Sequence, residues 1–459
     1  MSQNILIYHG EELLEPDYKI LHSLKMWVGD NLRYDLRDHQ IVKVDLSNQY
    51  LGFLPRDLGE LTGLEELILD ENALSSFPDF LTNLTNLRKL SLVNNNLSKV
   101  ESHLKDLSNL VELNLANNRF TEFPEAIHGL NLRLLNLSDN KLTTLPANFG
   151  SISSLEHLDL GNNRLKDLPS SFTDLRNLRH LNLSMNQVKR IPDPIGSLSQ
   201  LSCLNLRDNP VEQLPSDIGS LSNLETLDVQ GTFLDQWPSF DGLSNLKHLN
   251  IGKNKITRVG DTLGSLTKLE QLDLDSLQIY ELPDCLGNLK HLKKVNLGGT
   301  PLQKFPDTLG DCTALEYLRL EWGWGLSYMP ESLGNCVNLT HLLLGASGLS
   351  YLPESIGNLT NLRKLTIYRN GMSSLPASIG NLKMLSHITA DSNSFAELPA
   401  SMGEMTGLAE LHIHNNPLHN LPDSFKNLKN LKSINISGTG VDPDSPVCQA
   451  LREMGVEFK

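Results

Sequence analysis

The sequence predicts an α/β fold: a solenoid of stacked repeats bent into a horseshoe, with a parallel sheet on its concave side and short helices or turns on its convex side. Three observations predict it. One pattern, LxxLxLxxNxLxxLP, recurs from residue 41 to about 441, and its starts are almost all 23 residues apart. Its first six positions alternate apolar and outward-facing residues, as a short strand does. Its asparagine and its Leu-Pro step then mark a turn and the start of a second segment.

Taken in chain order, residues 1–40 form the expected N-terminal cap. In "EPDYKILHSLKMWVGDNL" the residues Ile20, Leu24, Trp27 and Val28 fall on one helical face, which predicts a helix with Trp27 filling the core. Residues 41–441 hold the repeats, as in "LEELILDENALSSFP" from Leu64, "LEHLDLGNNRLKDLP" from Leu155 and "LRKLTIYRNGMSSLP" from Leu362. Alternate leucines enter the core, the asparagine satisfies backbone groups of the turn, and proline suits the first turn of a short convex-side helix. A single repeat buries little, whereas stacked repeats share one core. About 18 strands spaced ~4.8 Å apart would run roughly 80 Å along the inner face. Residues 442–459 form the expected C-terminal cap, with Ser445 as N-cap, Pro446 in the first turn and Gly455 as terminator.

With eighteen matches from Ile41 to Leu431, the chain is identified as a member of the leucine-rich repeat family. Its proline-bearing segment, as in "LPESIGNLTNLRKL", resembles the 23-residue intracellular type found in Ras-binding scaffold proteins, their plant relatives and many bacterial proteins. That resemblance implies a non-catalytic scaffold for protein–protein interaction. Bacterial members of this type with a ligase domain carry it after the repeats. Here the repeats run almost to Lys459, so no such domain is expected.

Composition narrows the function further. The 459 residues are 39% hydrophobic and 20% charged, as in soluble globular proteins. The net charge of −15 offers no basic field, so neither nucleic acid nor an anionic membrane is the expected partner. The N-terminus lacks a basic start followed by a long apolar run, and no run of eighteen apolar residues occurs, which points to the cytoplasm. Cys203, Cys285, Cys312, Cys336 and Cys448 form no CxxC pair and are expected as free thiols. Cys312 and Cys336 stand where other repeats have leucine, which predicts buried core positions.

No phosphate-binding loop, nucleophile elbow, HExxH or calcium loop is present, so no enzyme, cofactor or metal site is expected. His387, His412 and His414, with Asp391 beside His414, raise a small metal or proton-sensing site. The plainer account is exposed polar residues on a sheet. His157 and His180 share one template position in adjacent repeats.

The candidate site lies where the template breaks. Its fifth position, taken as the centre of each strand with a side chain free of packing duty, reads Asn or Asp in nine successive repeats from Asn114 to Asn296. It then becomes Arg319, Leu343, Thr366, Thr389 and His412. The same repeat contains "EWGWGL", with one extra residue and two tryptophans; its glycines 323 and 325 would permit a bulge. The template asparagine is missing at Thr232, Leu277, Thr300, Gly323 and Ser347. Tyr317, Arg319, Trp322, Trp324, His341, Arg363, Tyr368, Arg369, His412 and His414 are therefore the candidate partner-binding residues, because Trp, Tyr and Arg most often anchor interfaces. Trp322 and Tyr368, about 10 Å apart across the small residues "GASG" at 345–348, would wall a pocket. Trp324 is either a second anchor or a plug beneath the bulge. The expected function is a scaffold binding a protein on its concave face between the repeats starting at Leu315 and Leu408. The alternatives are a bacterial effector or immunity-type factor, and a peptide or small-ligand sensor using residues 345–348.

Overall fold

The computed structural model describes residues 5–8 and 10–459 of the chain. The first four residues of the expected cap, and His9, lie outside the described residues. The chain divides into two compact halves, Met1–Leu224 and Glu225–Lys459.

In the N-terminal half, strand Ile5–Tyr8 pairs antiparallel with Glu11–Leu14, and helix Glu15–Val28 follows. Strand Arg33–Arg37 then pairs antiparallel with Gln40–Asp45, the first strand of a parallel ladder that runs in sequence order to Cys203–Asn205. The C-terminal half repeats the arrangement from Thr226–Asp228 to Ser433–Asn435. After helix Pro446–Glu453 the chain returns as strand Glu457–Phe458, which adds to that sheet in parallel. The two hairpin pairings near the N-terminus carry no repeat signature and were not foreseen.

Each repeat is one coil, in most cases a three-residue strand, a tight turn, and a 3-10 turn that leads back to the next strand; the coil from Thr226–Asp228 to His248–Asn250 returns without a 3-10 turn. The first, fourth and sixth template positions are buried, as Leu110, Leu113 and Leu115 are. Burial of such a leucine contributes about 1.5–3 kcal/mol, and the stack repeats the gain coil after coil. The template asparagine bonds its own turn to the neighbouring coils. Asn140 donates to the carbonyls of Leu115, Leu137 and Ser138 at 3.0–3.1 Å and accepts from Phe120 N at 3.0 Å. The eighth position has left-handed φ throughout, whether it holds Asn117, Asp208, Lys253 or Trp322.

Two template assignments need correction. The convex-side segments are 3-10 turns, and proline stands just before them in extended conformation, as Pro306 does ahead of Asp307–Asp311. Its carbonyl accepts from Leu309 N at 3.0 Å, so the missing proline N–H is never called upon. The fifth position is the last strand residue, not the centre, and the Asn or Asp there is not free of structural duty. From Asn114 to Asn296 all nine accept a hydrogen bond from the backbone N–H two residues on, at 2.9–3.3 Å.

At the N-terminal end Ile20, Leu21, Leu24 and Val28 are buried, and Asp17 accepts from Ile41 N at 2.8 Å, which ties the helix to the first repeat strand. Trp27 corrects the expectation of a core filler: it is 44% exposed and meets Phe53 edge-on at 5.2 Å. At the other end Ser445 caps the last helix by accepting from Cys448 N, Pro446 opens it, and Gly455 follows with φ of 85°. None of the five cysteines is in a disulfide, and Cys312 and Cys336 are fully buried.

Candidate functional site

The extra residue of "EWGWGL" is absorbed without disturbing the sheet. Trp322 takes the left-handed eighth position, with φ of 64°, and Trp324 adopts a second left-handed turn, with φ of 56°. Their backbone N–H groups donate to Gly345 O at 2.9 Å and Ala346 O at 3.3 Å in the next coil. The glycines serve close approach rather than handedness. A Cβ on Gly323 would strike Thr300 O, and one on Gly325 would lie 2.8 Å from Pro301 O. With the backbone pinned between two coils, both indoles project outward: Trp322 is 43% exposed and Trp324 is 62% exposed, so Trp324 plugs nothing.

The two rings belong to a larger cluster. Trp322 packs edge-to-face on Trp324 at 6.1 Å and on Tyr368 at 6.0 Å, and the Arg369 guanidinium lies 5.7 Å from the Trp322 ring centre. Beneath them Glu321, whose side chain is only 15% exposed, accepts from Arg319 Nε at 2.8 Å and from the Tyr368 hydroxyl at 3.3 Å. Burial, and next the Glu321 charge, push the Tyr368 phenol above its ordinary range. The Glu321 hydrogen bond likewise raises Arg319.

Tyr368 reaches Glu321 by lying across Gly345, where a Cβ would collide with its ring. The pocket expected over residues 345–348 is therefore not formed: the tyrosine covers its floor and touches the tryptophan that was to be the opposite wall. The same device recurs along the seventh template position. Arg319 lies against Gly298, and Asp275 crosses Gly252 to accept from Gln230 Nε2 at 2.8 Å. Glycine in alternate coils thus makes room for a side chain from the following coil. Sequence reasoning missed Glu321 and this spine, although the spacing of Gly252, Gly298 and Gly345 carried the signal.

The other candidates distribute around the cluster. Tyr317 pairs with His341 at 5.9 Å between ring centres. Burial, then Lys364 and Arg363, hold His341 below its usual range. Arg363 is exposed at the strand edge. His412 stands 3.9 Å from Glu410, which His387 also approaches at 3.8 Å, whereas His414 pairs with Asp391 at 3.5 Å. The three histidines thus form two acid–imidazole groups instead of one site, and among the described residues no three His, Cys, Asp or Glu side chains are placed to hold a metal ion. In the N-terminal half His157 and His180 stack at 4.4 Å, lining a shallow depression of about 480 Å³ with Asp159 and Asn182. A second depression, of about 580 Å³, lies over strands Thr226–Asp228 to Tyr317–Arg319 and reaches Arg319.

Among the described residues no helix is long and apolar enough to cross a membrane. No curated protein sequence matches the chain. Solved structures do. A Leptospira interrogans leucine-rich repeat protein is 26% identical, with 90% of this chain and 94% of that one covered and a TM-score of 0.56. The Arabidopsis receptor kinase HAESA, solved with the peptide hormone IDA and the co-receptor SERK1, is 24% identical over 93% of this chain and 86% of that one, with a TM-score of 0.65. YopM from Yersinia enterocolitica is 22% identical over 96% and 99%, with a TM-score of 0.62. At such identities the latter two are similar in fold alone. The family model described as "Leucine-rich repeat region" matches residues 125–204, 192–278, 263–368 and 327–454, and a second, "Leucine rich repeat", matches 85–142. The chain belongs to the leucine-rich repeat family.

Proposed function

We propose that this chain is a non-catalytic scaffold that binds a protein partner on the strand face of its C-terminal half, in the coils starting at Leu315 to Leu408. The observation that carries the proposal is the ordered aromatic cluster. Trp322 and Trp324 expose large apolar rings, with the half-buried Tyr368 packed on Trp322, while Glu321, Arg319 and the two glycines fix their backbone and rotamers. A surface held in place before binding loses little entropy when a partner arrives. Exposed Trp and Tyr with a neighbouring Arg are the side chains that anchor interfaces most often. Neighbours of the same fold solved with peptides, HAESA with IDA and the plant peptide hormone receptor RGFR1 with RGF2, support a protein or peptide partner in general.

Residues 1–40 and 442–459 act in this proposal as caps that close the ends of the stack, and the protein works in the cytoplasm. The test is affinity purification from lysate with wild-type chain and the Trp322→Ala and Tyr368→Ala variants. A partner retained by wild type and lost from both variants supports the proposal. A partner that both variants retain in full contradicts it.

A further inference from the structure

Charges along the sheet edge of the C-terminal half follow a rule that one coil breaks. At the second template position Glu225, Lys247, Glu270, Lys293 and Glu316 alternate in sign. Lys247 pairs with Glu225 at 2.9 Å and Lys293 with Glu270 at 2.7 Å. Thr340 ends the alternation, so the next cation, Arg363, stands between Thr340 and Ser386. One position on, Lys364 lies in register between His341 and His387. Arg369, at the eighth position, falls between Ala346 and Ser392 and rests on the Trp322 ring. Among the described residues none of these three cations has a carboxylate within ion-pair distance. Acids of the surrounding coils face other groups: Glu321 is bonded by Arg319 and Tyr368, Asp391 lies 3.5 Å from His414, and Glu410 lies 3.8 Å from His387 and 3.9 Å from His412.

In a chain of net charge −15, three unpaired cations on one coil beside the aromatic cluster form a local positive strip. Burial first, and then the Lys364 and Arg363 charges, lower the proton affinity of His341 beside them. We infer that the partner presents an acidic segment, with Asp or Glu side chains seated on Arg363, Lys364 and Arg369 next to an apolar residue packed on Trp322 and Tyr368. This rests on the proposed interaction role of the strand face and adds the chemistry of the partner to it. Complementary charge steers encounter and rejects wrong partners, and exposed pairs of this kind weaken as salt rises.

The experiment uses the full chain and three fluorescein-labelled peptides that share one Leu/Tyr/Ser framework. They differ only in carrying Asp and Glu, Lys, or Asn at the remaining positions. Fluorescence anisotropy should show the acidic peptide binding at least tenfold tighter than the other two, with the advantage shrinking as sodium chloride is raised. Joint Arg363→Glu and Lys364→Glu substitution should weaken it at least tenfold, whereas Lys290→Glu, on a turn remote from the strand face, should not. Dependence on Arg363 and Lys364 without dependence on Trp322 would uphold the acidic partner and reject the aromatic anchor. Dependence on Trp322 with no preference for the acidic peptide would do the reverse. Equal affinity for the acidic and basic peptides, no binding of the acidic one, or indifference to the double substitution overturns the inference.

Discussion

The Tyr368 hydroxyl donates to Glu321 Oε1 at 3.3 Å from two coils further along the chain, and its ring crosses Gly345 to reach it. This relationship makes Gly345 a packing residue for the site. Gly345→Ala should force the ring off the sheet and destabilise the fold by about 1–3 kcal/mol, the usual cost of overpacking. Tyr368→Phe, which keeps the ring and removes one half-exposed hydrogen bond, should cost about 0.5–1.5 kcal/mol. Thermal melts with near-ultraviolet circular dichroism check both. A Gly345→Ala variant with wild-type stability and an unchanged aromatic signal would show that the ring does not depend on the gap.

The asparagine ladder offers an independent test of the fold. Asn140 uses its amide for three donated bonds and one accepted bond in a buried turn. Asn140→Ala leaves the buried Phe120 N without its acceptor and removes one of the donors to each of the three carbonyls, and should cost about 1–3 kcal/mol. Chemical denaturation provides the number, and a midpoint equal to wild type would count against the ladder as a stabilising element.

Most of the fold was legible because the repeat encodes it redundantly. Leu110, Leu113 and Leu115 announce a strand and its buried face, and eighteen copies remove the ambiguity of any one. Parts outside that register were harder to read. Trp27 follows the helical period of Ile20 and Leu24, yet it lies at the rim of the buried stripe and packs on Phe53 in solvent. At the candidate site the residue types were readable from composition, but their contacts were not. Template spacing placed Trp322 and Tyr368 two strands apart, and only the side-chain rotamers close that distance to a 6.0 Å ring contact. Asn182 and its equivalents looked free because the Asx-type bond to the backbone two residues on leaves no trace in hydropathy.

Burial pushes the Cys312 thiol up to about 11 and that of Cys336 up to about 12, from an ordinary value of 9.0. Both keep their protons in the folded chain at pH values where the unfolded chain would lose them. The stability they contribute is fully present below the ordinary value and is lost as pH rises through about 11 and about 12. Melting temperature should therefore fall across that alkaline window, and less steeply in a Cys312→Ala and Cys336→Ala double variant. At neutral pH iodoacetamide should modify Cys203 and Cys285, which are partly exposed, and reach Cys312, Cys336 and Cys448 only after denaturation. Alkylation of native Cys312 or Cys336 as fast as Cys285 would contradict the buried-thiol assignment.

The most direct test of the central claim pairs binding with melting for Trp322→Ala, using the partner captured by wild type. Trp322 is 43% exposed over a backbone pinned by its neighbours, so its removal should leave the melting temperature nearly unchanged while weakening the partner by about 2 kcal/mol or more. Asn182→Ala, in the other half, should leave binding intact. A large melting loss for Trp322→Ala, with full affinity retained by the folded fraction, would contradict the account.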